Sequence, residues 1–296
     1  MSQPNLPFGR VLTAMVTPFA ADGSLDVVKA GRLARHLVEN GSDGLVISGT
    51  TGESPTLSSD EKVRLFEAVV EAVGDRAMVV AGTGTYDTAG SVVLSRRAAQ
   101  AGCGGVMAVT PYYNKPTQEG LVAHFEAIAD ATELPVLVYN IPSRTARLIE
   151  VPTMVRLSSH SNIVATKDAV MDLDFTSLTV EEAPDLTVYS GQDSYTLPMM
   201  SVGAVGVVSV ISHLAGRAVA RMVAAAAGGD YLTAAALHHA LMPLSVACFL
   251  ETNPGPVKAA LSESWEPVGG LRLPMVAPAE ETLRAVLKAM AALDGG

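Results

Sequence analysis

Gly44-Leu45-Val46-Ile47-Ser48-Gly49-Thr50-Thr51 is a short β-branched apolar run that stops on glycine and hydroxyl residues. Ser58-Ser59-Asp60-Glu61 then opens a stretch to Val73 with apolar residues at helical spacing. A serine followed three residues later by glutamate is the start signal of a helix. The pair therefore reads as one strand followed by one helix. The same alternation recurs along the chain, with strand candidates beginning near Val11, Gly44, Met78, Gly105, Pro135, Ile163, Leu186 and Gly206.

Eight strand–helix units over about 230 residues give roughly 28 residues each, close to the size of a complete (β/α)8 barrel. A doubly wound open sheet would want a glycine-rich turn after its first strand, and this chain has Val16-Thr17-Pro18-Phe19 there. The expected fold is thus α/β, a (β/α)8 TIM barrel over residues 1–229, with a helical appendage over residues 230–296. That appendage begins after Gly228-Gly229 and holds three helical patterns, Tyr231 to Phe249, Pro254 to Glu263 and Pro278 to Leu293. Its Ala/Leu/Met surface must be covered by the barrel or by another subunit, so a homo-oligomer is expected.

Composition narrows the function. The 296 residues are 49% hydrophobic and 17% charged, with a formal net charge of -10. No apolar run is long enough for a membrane span, and no Lys/Arg cluster provides a footprint for a nucleic-acid backbone. Small metabolites are the expected partners. Met1 to Arg10 lacks the basic start and apolar core of a secretory signal, and Cys103 and Cys248 lie far apart, so a cytoplasmic protein with free, structural thiols is expected.

In such a barrel the chemistry sits where the strands end. Of the six lysines (Lys29, Lys62, Lys115, Lys167, Lys258 and Lys288), only Lys167 ends an apolar run, Ile163-Val164-Ala165-Thr166. Burial there lowers the amine pKa, and a neutral amine is what attacks a carbonyl to form a Schiff base. A salt bridge to a carboxylate such as Asp193 is the competing reading. Tyr139, ending the neighbouring strand, reads either as a proton relay for that chemistry or as packing. Thr50 and Thr51 read as a carboxylate site or as turn caps. Arg144, in the loop after the tyrosine strand, reads as a bidentate carboxylate grip or as a solvated loop arginine. Gly82-Thr83-Gly84 reads as close packing rather than a phosphate loop. No residues have metal-ligand spacing, since the adjacent His238 and His239 diverge on a helix, and no metal is expected.

Several motifs together carry a specific resemblance. They are Gly49-Thr50-Thr51-Gly52-Glu53-Ser54, Thr110-Pro111-Tyr112-Tyr113-Asn114, Tyr139-Asn140-Ile141-Pro142-Ser143-Arg144-Thr145, Lys167-Asp168-Ala169, Ser190-Gly191 and Asn253-Pro254-Gly255-Pro256-Val257-Lys258. Over its whole length the chain resembles the dihydrodipicolinate synthase and N-acetylneuraminate lyase family. The resemblance implies that Lys167 forms an imine with pyruvate, so that no cofactor is needed beyond that covalent link. It implies a proton relay of Tyr139, Thr50 and a Tyr113 donated by the neighbouring subunit, which makes a dimer the smallest active unit and a tetramer the common one. Thr51 would hold the pyruvate carboxylate, and Gly191 and Val208 would border the pocket.

Arg144 after Tyr-Asn-Ile-Pro favours synthases, in which an arginine of this loop grips aspartate semialdehyde. The implied reaction is condensation of pyruvate with L-aspartate 4-semialdehyde, feeding diaminopimelate and lysine synthesis. The alternatives are a lyase or aldolase acting on a sugar acid through the same imine, and a silent binding protein. The chain departs from the family pattern at Val170-Met171, where Thr/Ser-Gly is usual, and at Ala146, where glycine often follows Ser-Arg-Thr. Lysine-inhibited members carry histidines where Ser59 and Lys62 stand, asparagine at Tyr86 and glutamate at Gly90, so weak or absent lysine feedback is expected.

Overall fold

The computed structural model describes residues 6–294; the N-terminal reading of Met1 to Arg10 therefore lies partly outside the described residues. Eight strands close into a parallel barrel in sequence order: β1 (Val11–Ala14), β2 (Gly44–Ile47), β3 (Met78–Gly82), β4 (Gly105–Val109), β5 (Val136–Asn140), β6 (Ile163–Asp168), β7 (Thr187–Ser190) and β8 (Gly206–Ser209). The described helices up to the last strand are α1 (Val27–Glu39), α2 (Ser59–Val73), α3 (Thr88–Gln100), α4 (Gln118–Ala129), α5 (Pro142–Thr145), α6 (Val151–Ser158), α7 (Leu173–Glu182) and α8 (Thr196–Ser201). They are followed by α9 (Ser212–Ala227), α10 (Tyr231–Ala247), α11 (Gly255–Ser264) and α12 (Glu280–Asp294).

β5 and β7 each start one residue later than the sequence suggests. Pro135 has no N–H to give a ladder, although its carbonyl accepts from Val106 N, and Leu186 N is used by the turn to Ala183 O. α10 stops at Ala247 rather than Phe249, α11 starts at Gly255 with Pro254 as its N-cap, and α12 starts at Glu280. α2 begins as expected: Ser58 Oγ accepts from Glu61 N at 3.2 Å while the Glu61 carboxylate accepts from Ser58 N at 2.9 Å.

Both faces of the sheet are buried, which is why the strands read as continuous apolar runs. Leu45, Ile47, Val79, Ala81, Val106 and Ala108 face the helices, while Leu12, Val46, Val80, Met107, Leu137, Ala165 and Val208 fill the barrel. Phe8 and Tyr189 form the barrel floor, and the Tyr189 hydroxyl donates to Gly9 O at 2.8 Å. One irregularity sets the site. Val136 pairs with Ile163 but Leu137 pairs with Ala165, so Val164 is an extra residue in β6. Beyond this bulge Tyr139 stands beside Lys167, both aimed into the barrel.

The last three helices are not a separate body, because one apolar cluster runs through the barrel helices and on to Leu241, Leu244, Val257, Leu261 and Val286. A buried ion pair fastens them to the barrel mouth. Lys258 Nζ meets Glu53 Oε1 at 2.8 Å, with both side chains 2% exposed, and Arg272 N donates to Glu53 Oε2 at 2.9 Å. Phe19 is flanked by the Lys258 Nζ at 4.2 Å and the Arg272 Cζ at 4.4 Å from its ring centroid. Removing one partner of such a pair strands a buried charge, whereas removing both does not. Lys258→Met should therefore destabilise the protein by about 3–5 kcal/mol, and adding Glu53→Gln should restore more than half of that. Urea unfolding of both variants checks this; equal instability of the single and double variants would contradict it.

Candidate active site

Lys167 and Tyr139 are neighbours in register near the C-terminal ends of β6 and β5, 5% and 3% exposed. The Lys167 Nζ lies 4.2 Å from the centroid of the Tyr139 ring. Among the described residues no ion pair reaches the amine, so the salt-bridge reading with Asp193 is not realised. Asp193 is spent elsewhere, accepting from Ser209 Oγ at 2.5 Å and from Val210 N at 2.9 Å.

Burial pulls the Lys167 amine down to about 7; Asp193 opposes this and the Arg144 guanidinium adds to it. At neutral pH a large fraction of the amine is thus unprotonated and nucleophilic. Tyr139 is pushed the other way, to about 12, by burial, while Arg144 and a hydrogen bond from Thr50 partly offset the rise. Its phenol keeps its proton and can donate it. Of this pair, the lysine supplies electrons and the tyrosine supplies a proton.

A cavity of about 200 Å³ is lined by Thr50, Tyr139 and Arg144 together with Ser48, Tyr112 and Thr145, while Lys167, Thr51, Gly191 and Val208 are not part of its wall. Arg144 stands at its mouth, and its Nη2 donates to Asn253 O at 3.3 Å. Thr51 is buried beneath, where its Oγ1 accepts from Asn253 Nδ2 at 2.9 Å. Val208 belongs to the same interior cluster as Tyr139, Ala165 and Ala169. Gly191 is constrained by close approach: a Cβ there would lie 2.8 Å from Ala169 Cβ and 3.1 Å from Lys167 Cγ. A side chain at Gly191 would displace the lysine stem. Gly82 and Gly84 are packing glycines, since a Cβ on each would meet Ser48 O at 2.3 Å and Val109 N at 2.5 Å.

Tyr113 is the expected site residue that lies on the surface of the single chain. It is 93% exposed, takes a left-handed φ of 70°, and does not line the cavity, whereas Tyr112 does. Two positions where the family pattern has glycine, Ala146 and Met171, have φ of 53° and 66°, in the region where only glycine is free of strain. Neither lines the cavity.

Asn253 and Glu53 have no role assigned from the sequence, although both stand in motifs that carry the resemblance. Asn253 lies in the segment between α10 and α11, and nothing in the local pattern ties it to Thr51, which is 202 residues away. Its one local signal is an asparagine set before Pro-Gly-Pro among apolar helices. Cys103 and Cys248 are buried free thiols pushed up to about 12 by burial, which suits a structural role. Among the described residues no group of three or more His, Cys, Asp and Glu is placed to hold a metal ion.

Because only the neutral amine attacks, the rate of adduct formation at Lys167 with an α-keto acid should rise with pH through a midpoint near 7 and then level off. Arg144→Met removes a charge that lowers the amine pKa, so the midpoint should move up; Asp193→Asn removes one that raises it, so the midpoint should move down. Stopped-flow or quench measurements from about pH 5.5 to about 11 bracket the perturbed and the ordinary lysine values. Shifts of the opposite sign would contradict this electrostatic balance.

Residues 7–293 match the Dihydrodipicolinate synthetase family. The chain is 53% identical over 286 residues to the 4-hydroxy-tetrahydrodipicolinate synthase of Moorella thermoacetica, covering 96% of this chain and 98% of that protein. Among solved structures it is similar to the dihydrodipicolinate synthase of Bacillus anthracis, with 46% identity, a TM-score of 0.93 and 96% and 98% of the two chains covered. It is also similar to the lysine-bound enzyme of Cyanidioschyzon merolae, with 41% identity, a TM-score of 0.96 and 98% and 99% covered. With a closed barrel, a buried lysine beside a tyrosine, and near-complete matches to these proteins, the chain belongs to the dihydrodipicolinate synthetase family.

Proposed function

We propose that this chain is a lyase that condenses pyruvate with L-aspartate 4-semialdehyde to 4-hydroxy-tetrahydrodipicolinate, the step that leads toward diaminopimelate and lysine. The observation that carries the reading is Lys167, an unpaired amine with its pKa pulled down to about 7, held against a Tyr139 phenol that keeps its proton.

In this reading the Lys167 nitrogen attacks C2 of pyruvate, and the carbinolamine loses its hydroxyl as water with a proton relayed by Tyr139 and Thr50. The iminium draws electrons from C3, which gives up a proton to leave an enamine. C3 then bonds to the aldehyde carbon of the second substrate, whose oxygen takes a proton. The amino group of that substrate next attacks C2 and displaces the Lys167 amine, closing the ring. One water leaves overall and the lysine is regenerated, so no cofactor is consumed.

The pyruvate carboxylate is assigned to Thr51, and the carboxylate of the second substrate to Arg144 at the cavity mouth. Gly191, packed against the Lys167 stem, and Val208, in the interior cluster with Tyr139, are assigned to the border of the substrate site. Ala146 and Met171, the departures from the family pattern, lie off the cavity wall, which supports an ordinary second substrate. The exposed, strained Tyr113 supports an assembly in which it completes the relay of a second copy, with a dimer as the smallest active unit and a tetramer as the expected one. Two buried free thiols and the absence, among the described residues, of a helix long and apolar enough to cross a membrane suit a cytoplasmic enzyme.

Incubation with pyruvate and aspartate semialdehyde, coupled to a reductase for the product, should show turnover. A chain that cleaves a sugar acid and ignores aspartate semialdehyde would overturn the reading. Arg144→Ala should lower kcat/KM for the semialdehyde by about 100-fold, the loss of a charge-assisted bidentate contact, while leaving imine formation at saturating pyruvate intact at a pH above the amine midpoint of both proteins. Equal loss of both would make Arg144 structural.

Lysine feedback is expected to be weak. Gly90 offers no carboxylate for an effector's amino group, and Lys62, on the buried face of α2, adds a cation where lysine-inhibited members carry histidine. Titration with L-lysine should leave most activity at 10-fold above about 1 mM, the upper end of common small-molecule affinities. Half-inhibition at or below low millimolar lysine would overturn this expectation.

A further inference from the structure

The Asn253-Pro254-Gly255-Pro256 segment lies far from every strand end, yet it touches both halves of the site. Asn253 is 5% exposed; its Nδ2 donates to Thr51 Oγ1 at 2.9 Å and its backbone carbonyl accepts from Arg144 Nη2 at 3.3 Å. Five residues on, Lys258 reaches back to Glu53, two residues after Thr51. The segment is therefore fastened to the Thr51–Glu53 turn at two points.

A threonine hydroxyl has one proton to give and two lone pairs to receive with. With the Asn253 amide donating into one lone pair, the proton of Thr51 Oγ1 is left free for an acceptor. A carboxylate is an acceptor only, so it can be held by this hydroxyl when the proton points at it and is repelled when a lone pair does. Asn253 Oδ1 is buried with no hydrogen-bond partner. Turning the amide over would satisfy that oxygen with the Thr51 proton and take the proton away from the ligand. The unpaired oxygen is thus the cost of keeping the hydroxyl aimed as a donor.

We propose that Asn253 is a positioning residue which fixes the direction of the Thr51 hydroxyl and thereby sets how tightly the carboxylate of the keto acid is held. The inference rests on the pyruvate reading above. Its side chain serves Thr51 and its backbone serves Arg144, so side-chain substitution separates the two.

Steady-state kinetics with pyruvate and aspartate semialdehyde test it. Asn253→Ala should raise KM for pyruvate about tenfold, the worth of one hydrogen bond to a charged group, with kcat within about twofold and KM for the semialdehyde unchanged, the pattern of lost binding common to ground and transition states. Thr51→Val should show the same split, and adding Asn253→Ala to it should cost nothing more. A second full tenfold loss in the Thr51→Val background, or equal loss in kcat and in both KM values, would overturn the proposal. If Asn253→Ala does not fold, Asn253→Asp keeps the shape while accepting the Thr51 proton, so it should raise KM for pyruvate further still; an unchanged KM would overturn the proposal. Borohydride trapping of the unsubstituted protein with pyruvate separates the two failures. No adduct sinks the pyruvate reading and this inference with it, whereas a normal adduct with indifferent Asn253 variants sinks the inference alone.

Discussion

Stripping a lysine of water while giving it no counter-ion is unfavourable for its charged form, and the candidate site depends on that penalty being left standing. Lys167 is buried among barrel side chains, and Asp193, held by Ser209 and the start of the segment after β8, offsets the penalty only in part. The nearby Arg144 adds to the strain on the ammonium. Burial is the largest effect, and packing at the barrel mouth is therefore what makes the amine nucleophilic. The same burial acts on Tyr139 with the opposite sign, because a phenol is neutral when protonated. One dry environment thus prepares a base and an acid side by side.

That juxtaposition is a matter of register. The extra residue Val164 in β6 shifts the pairing so that Tyr139 and Lys167 share a rung and a face. Around them the mouth is braced from a distance. The buried Glu53–Lys258 pair and the Asn253–Thr51 bond draw the C-terminal helices over the turn that follows β2. These helices cover apolar barrel surface and also hold residues proposed to bind both substrates.

How much of this was legible in the sequence follows from the range of each interaction. Strands, helices and the Ser58–Glu61 capping box arise from periodicity and from contacts a few residues apart, so they could be read directly. Lys167 and Tyr139 could be read because a barrel puts its chemistry where apolar runs end. Their catalytic meaning still rested on resemblance, since position alone fitted a salt bridge or packing equally well. The contacts of Asn253 and Glu53 were not legible, because their partners lie 202 and 205 residues away and no local pattern encodes such a contact. The β6 bulge leaves no mark either, as Val164 is an ordinary strand residue. Ala146 and Met171 were noticed as missing glycines, and their left-handed backbone supplies the physical reason glycine is the usual choice. Tyr113 lies beyond what one chain can show, since the role proposed for its exposed ring needs another copy.

The central claim is that Lys167 is the covalent catalyst. A crystal structure of the protein soaked with pyruvate tests it most directly. The account predicts continuous density from Lys167 Nζ to C2 of the ligand, with the carboxylate on the Thr51 hydroxyl. Pyruvate bound without a covalent link in an active crystal, or linked to any other lysine, would contradict it.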